Sequence, residues 1–269
     1  MKKIVLFFVM IILITGCKKS NDVNSDVISD YSYSIEEIRG KILDESYNDV
    51  YISDINLDDY NKLLLYIDKL VGKDNYYIKS VNYVYSESDS QKMDSIGMSI
   101  VLNKYVENFR SWRGYDYENP YTISFNYDLK NHKYEDYYYT FLSGKQYEKE
   151  LIKDLSSKNG NYKYLVYNNE ILNISSQNAN ANSKTTWKDV LKQINTEDFN
   201  VILYVISNNS STIDELKNFV KTNKNIFKKY YINYVTVITL KENEEIENKV
   251  YSFSDSAIDS MYTLNLSYE

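Results

Sequence analysis

Residues 121–129 read YTISFNYDL, and this stretch decides the first half of the fold. Apolar or aromatic side chains stand at every second position, and small polar ones stand between them. That period of two predicts a β-strand with one buried face and one wet face. The same pattern at residues 96–102, and strand-like composition at 76–85 and 134–142, add further candidate strands. With a short hairpin connection at 130–133, they predict an antiparallel β-meander.

Amphipathic helices flank this predicted sheet and would cover its apolar face. Ser34 stands three residues before Glu37, which is the spacing of a capping box, and Ile35, Ile38 and Ile42 follow. A longer helix is predicted at 57–71, where leucines, Tyr60, Ile67 and Val71 form one stripe. The residues before it resemble the start of a calcium loop, but the required Gly and Glu are missing, so no metal site is predicted.

The second half alternates helices and strands more regularly, in the manner of an α/β protein. Helices are predicted near 145–155, from Thr186 and from Ser211, and strands at 162–167, 201–206, 230–240 and 261–267. Residues 201–206 are apolar throughout, which indicates a central strand covered on both faces. The fold class is therefore α+β. The globular region is expected to span 35–269, with the polar stretch 173–185 as the candidate boundary between two subdomains.

A weak internal echo raises the alternative of a duplicated unit. Each half contains an amphipathic helix that leads into the pattern YYIxxV, at residues 76–81 and 230–235. In a tyrosine-rich chain the echo can also arise by chance.

The first 17 residues have the order of an export signal: two lysines, an unbroken apolar run from Ile4 to Ile14, and Thr15-Gly16-Cys17. Ile14-Thr15-Gly16-Cys17 resembles the lipobox of bacterial lipoproteins. The resemblance implies a signal peptide at 1–16, cleavage before Cys17 and a diacylglyceryl group on its sulfur. An apolar run of eleven residues is short for a membrane span, which needs roughly 20. An ordinary secretory signal is the other alternative.

Polar residues without apolar periodicity follow the cysteine and predict an acylated tether at 17–34. The resemblance places the domain outside the cytoplasm, held at the cell membrane or outer membrane by the lipid on Cys17. The formal net charge of −7 disfavours nucleic acid and anionic lipid headgroups as partners. Acylation would also consume the only thiol in the chain, so no disulfide is expected.

The inventory of reactive side chains is poor. His132 is the only histidine, in the predicted hairpin turn, and Cys17 is the only cysteine, so a metal site of the His and Cys type is excluded. No GxSxG, GxxxxGK[ST] or GxGxxG motif occurs. The 38 acidic residues could include a glycosidase pair, but the sequence selects none. We therefore predict no catalytic residue, no cofactor and no metal.

The chain contains 30 tyrosines. A coding bias would explain them, and so would an aromatic binding surface, because tyrosine combines a flat apolar ring with a hydroxyl. Trp112, Arg113, Tyr115 and Tyr117 lie between two predicted strands and form the candidate aromatic binding patch. The alternative is that these rings fold back over the edge of the core.

Three classes of function stay open. The first is a binding or interaction module at the cell envelope, with a protein, peptide or glycan partner. The second is a structural or assembly lipoprotein, and the third is a carboxylate-dependent hydrolase. A tyrosine-rimmed apolar surface would favour the first, a long unpaired sheet edge the second, and facing carboxylates with a raised pKa the third.

Overall fold

The structure is a computed structural model that describes residues 32–43, 57–86, 89–111, 119–167, 181–193, 201–207, 211–241 and 258–266. The chain divides into two compact units, residues 1–33 and 34–269. The helices and strands below belong to the second unit. Together they confirm the α+β class.

The first sheet, sheet A, is the predicted antiparallel meander in the order β1-β2-β3-β4. Its strands are β1 (Tyr76–Ser86), β2 (Asp89–Leu102), β3 (Thr122–Asp128) and β4 (Lys133–Asp136). The carboxylate of Asp128 accepts hydrogen bonds from the backbone of Lys130 and Asn131 at 2.9 and 2.8 Å, which fixes the hairpin between β3 and β4.

The alternation in the sequence becomes the two faces of sheet A. Ile123 and Phe125 are buried on one face, whereas Ser124 is exposed on the other. Helix α1 (Ile35–Gly40) begins at the predicted Ser34–Glu37 capping box. Helix α2 (Leu57–Val71) lies against β2 and β3 and buries its predicted apolar stripe there. A 3-10 turn (Asn103–Tyr105) and helix α3 (Val106–Ser111) follow β2 and cover Val101 on the opposite face.

Helix α4 (Tyr138–Ser156) corrects two predictions. The strand predicted at 134–142 ends at Asp136, and the helix predicted near 145–155 begins seven residues earlier. The high β-propensity of Tyr137, Tyr138 and Tyr139 was misleading, because burial of one helical stripe decides the conformation here: Phe141, Tyr147, Leu151 and Leu155. Ser143 lies inside the helix, and its hydroxyl donates to the carbonyl of Tyr139 at 2.9 Å.

The second sheet, sheet B, has the order β5-β6-β7-β8, with β6 and β7 parallel and the outer pairs antiparallel. Its strands are β5 (Lys163–Tyr167), β6 (Ile202–Ser207), β7 (Tyr234–Leu240) and β8 (Ile258–Asn265). The parallel pair requires a crossover, which contains α6 (Ile213–Thr222) and α7 (Lys224–Lys229). The predicted central strand is confirmed as β6. The strand predicted from Tyr230 begins only at Tyr234.

Helices cover one face of sheet B. Helix α5 (Trp187–Leu191) follows the predicted start Thr186, which forms a capping box with Asp189. Helices α4, α5, α6 and α7 enclose a large buried cluster against this face. A smaller cluster lies on the other face around Ile206, Ile238 and Leu240. The boundary predicted near 173–185 stays a prediction, because most of that stretch lies outside the described residues.

The two YYIxxV segments are not structurally equivalent. Residues 76–81 lie within β1, whereas 230–235 run from the end of α7 through Tyr231, whose φ of 58° is left-handed, into β7. The neighbouring sheets also differ in topology. The structure therefore gives no support to a duplicated unit.

Candidate functional site

The predicted sites Cys17 and Trp112, Arg113, Tyr115 and Tyr117 lie outside the described residues. The structure does describe the two ends of the segment that carries the aromatic patch. Asn119 is buried and donates from Nδ2 to the carbonyl of Phe109 at 3.2 Å, while its Oδ1 accepts from the backbone of Tyr121 at 3.1 Å. These bonds hold the end of α3 next to the start of β3.

A largely buried cation, which the sequence-based predictions did not include, lies close to that junction. The ammonium of Lys145 lies 4.1 Å from the ring centroid of Tyr121, 5.5 Å from that of Tyr105 and 5.7 Å from that of Phe141. Glu148 Oε2 accepts from Lys145 Nζ at 3.0 Å. We call these five residues the Lys145 cage.

The electrostatics of the Lys145 cage follow from its burial. Loss of water lowers the pKa of Lys145, and the charge of Glu148 opposes part of this effect. Burial also raises the pKa of Tyr105, with a smaller contribution from Glu148. A buried lysine is a possible nucleophile in principle, but here the ammonium already has a carboxylate partner and three ring faces. The arrangement joins α4 to sheet A and gives no sign of reactivity.

The sequence pattern indicates only the part of the Lys145 cage that lies on α4. Phe141, Lys145 and Glu148 have helical spacing, so they would lie on one side of a helix once α4 is known. Tyr105 and Tyr121 come from distant parts of the chain, and only the tertiary fold brings them to the lysine.

A second aromatic cluster, the tyrosine stack, lies between α2 and the β3–β4 hairpin. The ring of Tyr134 stacks on Tyr66 with centroids 4.3 Å apart and on Tyr127 with centroids 4.7 Å apart. Tyr66 donates a 2.5 Å hydrogen bond to Asp136, and burial, followed by that bond, raises the pKa of Tyr66. His132 is exposed in the turn, with Nδ1 3.0 Å from the hydroxyl of Tyr127. The rings pack mainly on each other, which favours a structural role.

The third cluster is open to solvent and lies on the face of sheet B that carries Ile206 and Ile238. The strand register places Tyr204, Thr236 and Thr263 in one row across β6, β7 and β8. Tyr234 and Met261 lie on the same face, on either side of that row. Tyr234 is 49% exposed and Met261 60% exposed, and the hydroxyls of Thr236 and Thr263 are 3.0 Å apart. We call these five residues the open end of sheet B.

The carboxyl groups of the described residues give no indication of acid–base chemistry. Among the described residues, the carboxyl groups with a clearly shifted pKa all have a lowered one: Asp128, Asp154 and Asp189. The chief causes are hydrogen bonds from the side chains of Asn131, Lys229 and Thr186, respectively, and the pKa of Asp189 falls to about 2. A general acid of a glycosidase needs a raised pKa instead. Nor do the described residues contain a group of three or more His, Cys, Asp or Glu side chains that could hold a metal ion.

No protein-family model, curated protein or solved structure matches this chain. Within the described ranges, no helix has the length and hydropathy to span a membrane.

Proposed function

We propose that this chain is a lipid-anchored binding module of the cell envelope, held by an acyl group on Cys17, which binds an extended peptide segment of a partner protein at the open end of sheet B. The observation that carries the proposal is the exposure of Tyr234 and Met261 on one face. Tyrosine and methionine are among the residues enriched at protein interfaces.

The composition of the open end favours a peptide over a glycan. Tyr234 and Met261 are separated by two rows of the sheet, a distance of about 14 Å at the usual rise of a strand. A flexible thioether adapts to varied apolar side chains, and the threonine pair between the two ends can exchange hydrogen bonds with a peptide backbone. A sugar platform relies on stacked rings, and Tyr234 is the only strongly exposed ring among these five residues.

The test is capture of partners by the acylated full chain from its own envelope, followed by mass spectrometry. Tyr234→Ala should lose most of the captured protein. Tyr77→Ala is the matched control, because Tyr77 is 38% exposed but lies on sheet A. Capture that is equal for both variants, or no stable partner together with turnover of a glycan or peptide library, would contradict the proposal.

The anchor is tested separately by cell fractionation. A Cys17→Ser variant should leave the membrane fraction, because it has no sulfur to acylate. If this variant stays with the membrane, the lipobox interpretation is wrong, whatever the open end of sheet B binds.

The assembly function is favoured by a different observation. Strand β8 forms an edge of sheet B, and within the described residues it pairs only with β7. No comparable observation favours the hydrolase.

A further inference from the structure

Some backbone N–H and C=O groups of strand β8 point away from sheet B. The amide of Leu266 donates to the carbonyl of Asn233 on the β7 side at 2.7 Å. Residues of an antiparallel strand point their backbone groups alternately toward the partner strand and away from it. Leu264 and Tyr262 therefore face β7, while Met261, Thr263 and Asn265 direct their N–H and C=O groups outward. In the described part of the chain, these outward groups have no backbone partner.

The other three sheet edges carry features that hinder pairing with another strand. β4 is four residues long, with charged residues at three of its positions. β5 is five residues long and begins with Lys163. β1 contains register shifts, and its Ile78 exchanges hydrogen bonds with the backbone of Lys41 and Leu43 at 2.7 and 2.9 Å. Short length, charge, irregularity and cover are the usual protections of an edge strand.

Strand β8 lacks these protections over most of its length. It has eight residues, and its stretch 260–265 contains no charged residue and no proline. The two residues at its centre, Met261 and Tyr262, point to opposite faces and are 60% and 50% exposed. An edge of this kind is a template for another strand.

We propose that β8 pairs antiparallel with β8 of a second copy of this chain, about a two-fold axis at Thr263. In that register Met261 lies opposite Asn265 of the second copy, and Thr263 lies opposite its own equivalent. Every outward N–H and C=O group of Met261, Thr263 and Asn265 then finds a partner. The two copies of sheet B join into one continuous sheet.

The side chains of β8 suit this register. On one face, Thr263 meets Thr263 and extends the existing contact with Thr236, and paired threonines stabilise neighbouring strands. On the other face, Tyr262 lies opposite Leu264 of the second copy, which covers the exposed ring with an apolar neighbour.

The charge on β8 itself does not oppose a second copy as the occupant. A two-fold axis brings each residue near its own equivalent, so a charge close to the axis would meet the same charge. The one charged residue of β8, Asp259, is four residues from Thr263, about 14 Å from the axis. That distance exceeds the screening length of about 8 Å at physiological ionic strength. Two β8 strands can therefore pair without strong repulsion between their Asp259 side chains, although the chain has a net charge of −7.

Contact through a single strand buries less surface than a stable complex usually does. We therefore expect a weak dimer whose fraction rises with protein concentration. This pairing uses the backbone edge of sheet B and shares only Met261 and Thr263 with the open end of sheet B, so it requires neither the lipid anchor nor the peptide partner proposed above.

The test is sedimentation velocity of the full chain in detergent over a hundredfold range of concentration. The wild type should shift from monomer to dimer. Thr263→Lys and Thr263→Glu should each weaken the dimer at least tenfold, because two like charges meet at the axis. A mixture of the two variants should regain a dimer, because Lys then lies opposite Glu.

Ser124→Lys is the matched control, since it adds the same charge to an exposed position of sheet A and should leave the dimer unchanged. A dimer restored in the mixture also shows that both variants are folded. The proposal is overturned if the wild type stays monomeric, if Thr263→Lys dimerises as strongly as the wild type, or if the mixture stays monomeric. With a monomeric wild type, loss of a captured envelope protein by Thr263→Lys but not by Tyr234→Ala would instead assign the edge to a foreign strand.

Discussion

Sheet A and sheet B each contain four strands, but they acquire their stability in different ways. The long helix α2 lies on one face of sheet A, and most of the opposite face meets water, so its strands alternate between buried and exposed residues. In sheet B the two central strands are parallel, and β6 is buried on both faces: Val205 belongs to the helix-covered cluster and Ile206 to the cluster behind it.

The difference between the sheets corresponds to two sequence patterns, alternation in β3 and a continuous apolar run in β6. Alternation indicates that one side of a strand meets water, whereas a continuous apolar run indicates that neither side does. The four predictions below test how far the contrast between the sheets extends.

The largest effect is expected from a charge placed on β6. Val205→Asp and Ile206→Asp should both abolish cooperative folding, because an unpaired buried carboxylate costs several kcal/mol out of a total stability of about 5–15 kcal/mol. On β3 the neighbouring positions should differ. Phe125→Asp should unfold the protein, and Ser124→Asp should change the free energy of unfolding by less than about 0.5 kcal/mol. Urea unfolding measures all four variants, and a folded Val205→Asp or Ile206→Asp variant would contradict two-sided burial.

The next effect concerns the Lys145 cage, where sheet A meets the helix that also packs on sheet B. Glu148→Gln leaves the ammonium of Lys145 without its carboxylate. Breaking a buried ion pair lowers the free energy of unfolding by about 3–5 kcal/mol. The Glu148 side chain is 24% exposed, and solvent screens the pair, so we expect a loss of about 2–3 kcal/mol. Replacing both residues, Lys145→Met with Glu148→Gln, should recover most of the loss in urea unfolding. A double variant no more stable than Glu148→Gln would show that the charge pair is not the cause.

Alkaline pH should destabilise both sheets through buried tyrosines. The pKa of Tyr83 on sheet A and the pKa of Tyr230 beside sheet B are both raised to about 12, chiefly by burial. Because these folded pKa values exceed the ordinary value of 10, the unfolded chain releases its protons first. The associated stability is complete below pH 10 and is lost as the pH rises toward 12.

Unfolding followed between pH 9 and pH 12, with tyrosinate absorbance as the second signal, measures this loss. Tyr83→Phe should lose less stability across that interval than the wild type does. An equal loss would mean that Tyr83 titrates normally in the folded protein.

The smallest effects are expected where helices lead into β1 and β7. Gly72 has a φ of 94°, and a Cβ there would lie 2.5 Å from Asn75 Nδ2, so Gly72→Ala should cost about 1 kcal/mol or more. Tyr231 has a φ of 58° and bears the strain of a side chain in the left-handed region. Tyr231→Gly should gain about 0.5 kcal/mol, because relief of strain slightly exceeds the added chain entropy. Thermal unfolding measures both, and a stabilising Gly72→Ala would contradict the role of the left-handed turn.

The fold was largely predictable, because local signals and burial agreed over most of the chain. The capping boxes at Ser34 and Thr186, the stripe of α2 and the alternation of β3 each specify one conformation. The prediction failed at Tyr137–Tyr139, three residues of high β-propensity of which the first caps a helix and the next two begin it. In that segment the burial of Phe141 and Tyr147 along α4 outweighs local preference.

The candidate sites were less predictable for a physical reason. The Lys145 cage needs Tyr105 and Tyr121, which are distant in sequence from α4. The exposure of Tyr234 and Met261 depends on which positions of sheet B the rest of the fold leaves uncovered. Neither property appears in the local pattern of a strand or helix.

Residue identity and local periodicity were enough to establish the lipobox resemblance at Cys17, the α+β class and the scarcity of reactive side chains. The three-dimensional fold was needed to show that β6 and β7 run parallel, that Lys145 lies among aromatic rings, and that β8 is an edge strand with outward backbone groups. Each of these depends on contacts between residues far apart in the chain, and such contacts are set by how the two sheets and their helices share buried surface.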